Sequence, residues 1–387
     1  MRIFLLTPVL AMLASACSGN LSADSTDSTG RPASLSPDQP WPPAESPYPA
    51  AAAGSSKCEL SYEPVIPTKV YPCDPTPGPA CGATQQDCLG GPCVDGACAP
   101  CVLAYGPMTA GSEILLDSAN AYFRSNGIKK VPLNGGAAVQ LAAEDYYVVA
   151  LRDGFVYAVA TDMQGAHELW RVPVEGGGMA LVASLPDRSG DWVFDGNIMY
   201  LHVQSETGPL NQLWSVNLQS GTLTFLASGY MNIGLMAAGS GQVWGWNAQV
   251  PGTSFFITPE SGGAPTSLRS PVDGSLARGV LFGGQVYFTV SSGYTPSNFQ
   301  DYSRGGIWRM WPDGSHAAEI VGCQPGAFWL KVDDAAMYWD VHKHLMKLTP
   351  GGEPVAVYDS NKYVYGLAMD ERAVYWTDEN ALMKLAR

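Results

Sequence analysis

The end of this chain reads Gly366-Leu367-Ala368-Met369-Asp370, then Val374-Tyr375-Trp376-Thr377-Asp378, then Leu382-Met383-Lys384-Leu385-Ala386-Arg387. Three short apolar stretches separated by turn-forming residues describe three strands of an antiparallel sheet. The same phrase recurs upstream. An aromatic marks the end of the second strand in each copy: Tyr122, Tyr157, Tyr200, Trp244, Tyr287, Tyr338 and Tyr375. Consecutive aromatics lie 35 to 51 residues apart, enough for a four-stranded unit each time.

Other positions repeat in step with the aromatic. Five residues before it stands Asp117, Asp195, Asp333 or Asp370, placed to accept hydrogen bonds from the turn between the first two strands, while Arg152, Gly239 and Phe282 hold that place in other copies. A third strand follows, as in Leu169-Trp170-Arg171-Val172, Leu213-Trp214-Ser215-Val216 and Ile307-Trp308-Arg309-Met310. A glycine turn comes next, such as Gly135-Gly136, Gly176-Gly177 or Gly351-Gly352, and then a fourth strand.

The seventh copy has no fourth strand of its own, because Arg387 ends the sequence directly after the third. The segment Val102-Leu103-Ala104-Tyr105-Gly106 resembles the fourth strands elsewhere, such as Leu226-Ala227-Ser228-Gly229. It is expected to pair with the last blade and close the ring, removing two sheet edges. The fold class expected is therefore all-β: a seven-bladed β-propeller of four-stranded antiparallel blades over residues 102–387.

The phrases Gly366 to Asp370 and Val374 to Asp378 look like the repeats of YWTD and NHL-type β-propellers, although only the last copy carries the complete Tyr-Trp-Thr-Asp. With the N-terminal features below, the chain resembles surface lipoproteins of Gram-negative bacteria that carry a cysteine-rich segment. That resemblance implies the propeller fold and an envelope location, and it carries over no ligand.

Composition agrees with this reading. The 387 residues are 46% hydrophobic and only 14% charged, with 43 Gly and 30 Pro, which suits short strands and tight turns. The net charge of −14 opposes binding to nucleic acid or an anionic lipid surface.

Arg2, an apolar stretch from Ile3 to Ala14, and Ala14-Ser15-Ala16 before Cys17 read as a lipoprotein-type signal peptide over 1–16. Cys17 is the expected lipidation site, holding the protein to a membrane through an N-terminal lipid alone. Residues 17–56 form a Pro/Ser/Ala-rich tether. The expected location is the cell envelope, as an outer-membrane lipoprotein facing the periplasm or the surface; the alternative is secretion.

Residues 57–101 are the cysteine-rich segment. Setting Cys17 aside leaves Cys58, Cys73, Cys81, Cys88, Cys93, Cys98, Cys101 and Cys323, an even number that fits four disulfides in an exported protein. Seven of these lie between 58 and 101, so one must pair with Cys323 and pin the segment to the propeller. Zinc at Cys98 and Cys101 is the weaker reading, and no metal site is expected.

No P-loop, dinucleotide or nucleophile-elbow motif is present, and no cofactor or catalytic residue is assigned. Propeller enzymes gather His, Asp or Glu at the channel mouth, but no acid partner is apparent for His167 or His202. The alternative is a hydrolase or lyase, resembling either the metal-dependent lactonases or the streptogramin lyases. The favoured reading is a monomeric binding or scaffolding module for a protein or glycan. Its candidate binding residues are Tyr294, Phe299, Asp301, Tyr302 and Arg304 on the loop from Ser291 to Gly306, with Trp246 and His167 on flanking loops.

Overall fold

The computed structural model describes residues 70–387 apart from 77–79, 109–112, 163–164, 205–210, 231–232, 248–253, 270–274, 292–304, 342 and 360–361. The signal segment, the tether, Cys17, Cys58 and the five candidate residues from Tyr294 to Arg304 lie outside the described residues. What is described is built of strands, with no helix among the described residues.

The strands form the seven blades of a propeller. Blade 6 is typical: Leu330–Val332, Met337–Val341, His344–Leu348 and Val355–Asp359 pair antiparallel in sequence order, from the inner strand to the outer. The marker aromatics lie within the second strands rather than at their ends. Tyr122 sits in Asn120–Arg124 and Tyr157 in Phe155–Asp162. Six of the seven are at most 1% exposed, and Tyr200 is 3% exposed. A ring at that position fills the gap between neighbouring blades.

Seven apolar clusters result, one at each blade boundary. Tyr122, Val148 and Val172 join blades 1 and 2, while Trp244, Phe255 and Phe288 join blades 4 and 5. Tyr338, Trp376 and Met383 join blades 6 and 7. The boundary between blades 7 and 1 is filled by Leu103, Phe123, Val131, Tyr375 and Leu382, so the ring is closed by a core like the others.

The closing strand is Cys101–Tyr105, antiparallel to the last strand, Ala381–Ala386, with Ala104 opposite Leu382 and Cys101 opposite Lys384. It starts at Cys101, the residue that was expected to end the cysteine-rich segment. A further strand, Tyr71–Pro72, pairs parallel on its outer side, making this sheet five-stranded.

Two features were not apparent in the repeat. The strand Ala180–Asp195 is 16 residues long and serves as the outer strand of blade 2 and the inner strand of blade 3, so the two blades share one seven-stranded sheet. Its register breaks on both sides around Ser189, where the chain crosses between blades.

The repeated aspartates do anchor turns. Asp117 Oδ1 accepts from the amides of Ala119 and Asn120, Asp333 Oδ1 from Ala335 and Ala336, and Asp370 Oδ1 from Arg372 and Ala373. In the first and last blades the other oxygen takes the hydroxyl of the marker tyrosine, Tyr122 at 2.6 Å and Tyr375 at 2.8 Å. Aspartate and tyrosine five apart thus lock turn and core together. Asp195 instead meets the carboxyl of Glu260 from blade 4, which burial first and then Asp195 push up to about 7.

The cysteine-rich segment folds as a collar on the ring. Disulfides join Cys73 to Cys101, Cys81 to Cys93 and Cys88 to Cys98, and Cys323 is also disulfide-bonded, to a partner outside the described residues. The sulfurs of Cys81, Cys88 and Cys98 lie within 4.8 Å of one another, yet each is committed to a bridge. These three cysteines pack on Ala386, Asp87 meets Arg372 at 3.1 Å, and Gln86 Nε2 donates to Arg387 O. All three contacts lie on the face that carries the first-to-second turns, over the seam of blades 7 and 1.

Candidate binding face and channel mouth

The collar distinguishes the two faces of the ring. One face carries the first-to-second and third-to-fourth turns and receives the collar at the seam. The other carries the second-to-third loops and the blade-to-blade connections. Three large aromatics stand out there: Tyr105, 67% exposed at the end of the closing strand; Phe328, 41% exposed between blades 5 and 6; and Tyr363, 50% exposed between blades 6 and 7. Surface aromatics so placed are the usual anchors of interfaces.

Local structure holds Phe328 in position. Asp340, on the second strand of blade 6, accepts from the backbone amides of Phe328 at 3.0 Å and Trp329 at 2.6 Å. Burial pushes the Asp340 carboxyl up to about 7, against the pull of the Trp329 and Phe328 amides. On the other side, the Thr289 hydroxyl lies 3.2 Å from Phe328 O. The rings of Phe328 and Trp329 meet edge to face at 5.3 Å.

Beneath this face runs the central channel, a cavity of about 510 Å³ lined by the inner strands of all seven blades. Such a volume suits a small molecule. Its cations are Arg152, Arg278 and Lys331, and its carboxylate among the described lining residues is Glu113. Arg152 is engaged: its guanidinium donates to Gly196 O and Leu151 O. Arg278 Nη1 lies 3.8 Å from Glu113 Oε1, and the guanidinium stands 5.1 Å from the centre of the Trp329 ring and 5.5 Å from that of Phe328.

The candidate residues that can be placed lie away from this channel. Trp246 is half-buried with its indole lying across Gly234, where a Cβ would fall 2.4 Å from Nε1, and it packs into the core between blades 4 and 5. His167 is half-buried on the third strand of blade 2. His202 lies against Gly190, and burial lowers its basicity, opposed by Asp191. Phe328 and Tyr363 were missed because each sits in a short connection before an inner strand, and Tyr105 because it was read only as part of the closing strand. The only available clue was an aromatic next to a blade boundary.

No family model matches the chain, and no curated protein matches it. Solved structures do. An oligogalacturonate lyase from Vibrio parahaemolyticus is 12% identical over 79% of this chain and 95% of its own, with a TM-score of 0.56. A virginiamycin B lyase from Staphylococcus aureus is 13% identical over 73% of this chain and 98% of its own, with a TM-score of 0.55. These likenesses show the propeller fold. BamB from Moraxella catarrhalis overlaps more loosely, at 9% identity and a TM-score of 0.47.

Proposed function

We propose that this chain is an exported, lipid-anchored propeller that binds a protein or a glycan at the cell envelope through the face carrying the second-to-third loops. The observation that supports it best is the placing of Tyr105, Phe328 and Tyr363 on that face, opposite the one that receives the collar. Rings held at the rim of a rigid scaffold lose little side-chain entropy on contact and stack equally well on a sugar or an apolar side chain. The candidate residues from Tyr294 to Arg304 belong by sequence to a second-to-third loop of the same face.

A monomer displayed on a tether from Cys17 fits such a role, since the ring needs no partner to close. The test is a glycan array together with chemical cross-linking on producing cells, comparing the natural chain with Phe328→Ala and Tyr363→Ala. The expected result is one saturable glycan or protein partner that weakens at least tenfold in these variants, with unchanged melting. Binding that survives both substitutions undiminished contradicts this reading.

A further inference from the structure

Arg278 is a channel cation without a hydrogen-bond acceptor for its side chain among the described residues. It lies in the inner strand of blade 5, Ser275–Phe282, with its side chain only 21% exposed. A guanidinium carries five N–H donors, and those of Arg278 remain in reach of the channel solvent. No described residue accepts a hydrogen bond from this one, and Glu113 at 3.8 Å is beyond hydrogen-bond reach. Its backbone is firmly held. Arg278 N donates to Thr289 Oγ1 at 3.2 Å, and the same hydroxyl lies 3.4 Å from Arg278 O.

Trp192, on the inner strand of blade 3, also lines the cavity. Arg152 and Lys331 add positive charge to the lining, against Glu113 alone among the described lining residues, in a chain of net charge −14. A channel with three cations and one carboxylate among its described lining residues, inside an acidic protein, is complementary to an anion. Phe328, edge-on to Trp329 and partly exposed, offers a ring surface beside the guanidinium.

We propose that the channel mouth binds the carboxylate or phosphate group of a small ring-bearing ligand, with Arg278 as its counter-ion and Phe328 against the ring. Arg278 would take the anion in the two-pronged manner that a guanidinium allows. Glu113, also at the mouth, opposes the incoming charge and sets a limit on affinity. The proposal goes beyond docking on the loop face and fails separately from it: a channel that binds no anion leaves cross-linking to a partner at Phe328 untouched.

The test is calorimetric titration of the purified full-length chain with benzoate and phenyl phosphate, using benzamide and benzyl alcohol as neutral counterparts. One-to-one saturable binding of at least one anion is expected, weakened by salt, with no saturation by the neutral compounds. Whichever anion binds tighter identifies the group the site is built for. Arg278→Gln should weaken binding at least tenfold with the melting temperature preserved. Glu113→Gln, which keeps size and removes the opposing charge, should tighten it several-fold. The proposal is overturned by saturation with neither anion, by equal binding of benzamide, by an Arg278→Gln affinity equal to the natural one, or by a Glu113→Gln variant that binds no better.

Discussion

Lys384 Nζ donates to Leu89 O at 2.6 Å and, with a second proton, to Leu133 O at 2.7 Å. One ammonium on the last strand therefore ties blade 7 to the collar and to blade 1. Its residue is only 4% exposed, and burial pushes its pKa down to about 8, with Asp370 acting against that shift. Lys384→Met leaves two carbonyls without their donor and should lower the unfolding free energy by about 1–3 kcal/mol, measured by urea titration at neutral pH.

The same lysine makes a pH-dependent contribution of known sign. The folded state gives up its proton near pH 8, while the unfolded chain holds it to the ordinary value of 10.5. Between those values the unfolded state binds more protons, so this contribution to stability rises with pH; below about 8 the cost of burying the charge is fully present. Comparing denaturant midpoints at pH 7.5 and 9.5 should show the natural protein gaining stability relative to Lys384→Met. A constant difference between the two would place the charge outside this account.

Asp340 acts in the acid range and has the opposite slope. Its folded carboxyl keeps a proton up to about pH 7, whereas the unfolded one loses it near 3.8, so stability falls as pH rises through that window. Asp340→Asn keeps the oxygen that accepts from Phe328 and Trp329 and removes the titration. Its stability curve between pH 4 and 7 should be flatter than that of the natural protein, with Phe328 held as before.

Deleting residues 102–106 removes most of the closing strand, exposing the edge at Ala381–Ala386 and the core at Leu382 and Tyr375. The variant should aggregate or lose its cooperative transition. Breaking the Cys73–Cys101 bridge with serines is a milder version, costing about 2–4 kcal/mol because the bridge constrains the unfolded chain. A stable, monomeric deletion variant contradicts closure by this strand.

Lipidation at Cys17 is tested by growing producing cells with an alkyne-bearing palmitate. Label should follow the chain into the membrane fraction and vanish in Cys17→Ser, which should appear in the soluble fraction. Label retained by the serine variant contradicts the assignment.

The ring could be read from the sequence because its signals are local and repeat. A buried aromatic recurs in the second strand of every blade, an aspartate stands five residues before it in four of the seven, and glycine turns follow, so spacing alone reveals seven units. What could not be read depends on groups far apart in the chain. Lys384 occupies a polar place in the alternation Leu382-Met383-Lys384-Leu385, which reads as a solvated face, and only the collar that covers it turns it into a buried tie. Arg278 sits between Ala277 and Gly279 with no pattern around it, and its exposure to the channel comes from the closure of all seven inner strands. The fusion of blades 2 and 3 through Ala180–Asp195 was equally hidden, since Pro186 and Gly190 look like loop.

The most direct test of the binding face is photo-cross-linking from a benzoylphenylalanine placed at Phe328 and, in a second chain, at Asn134 on the opposite face. With the protein displayed on living cells, a discrete adduct should form from position 328, be competed by excess unlabelled protein, and be absent from position 134. Adducts from position 134 with none from 328 would contradict the account.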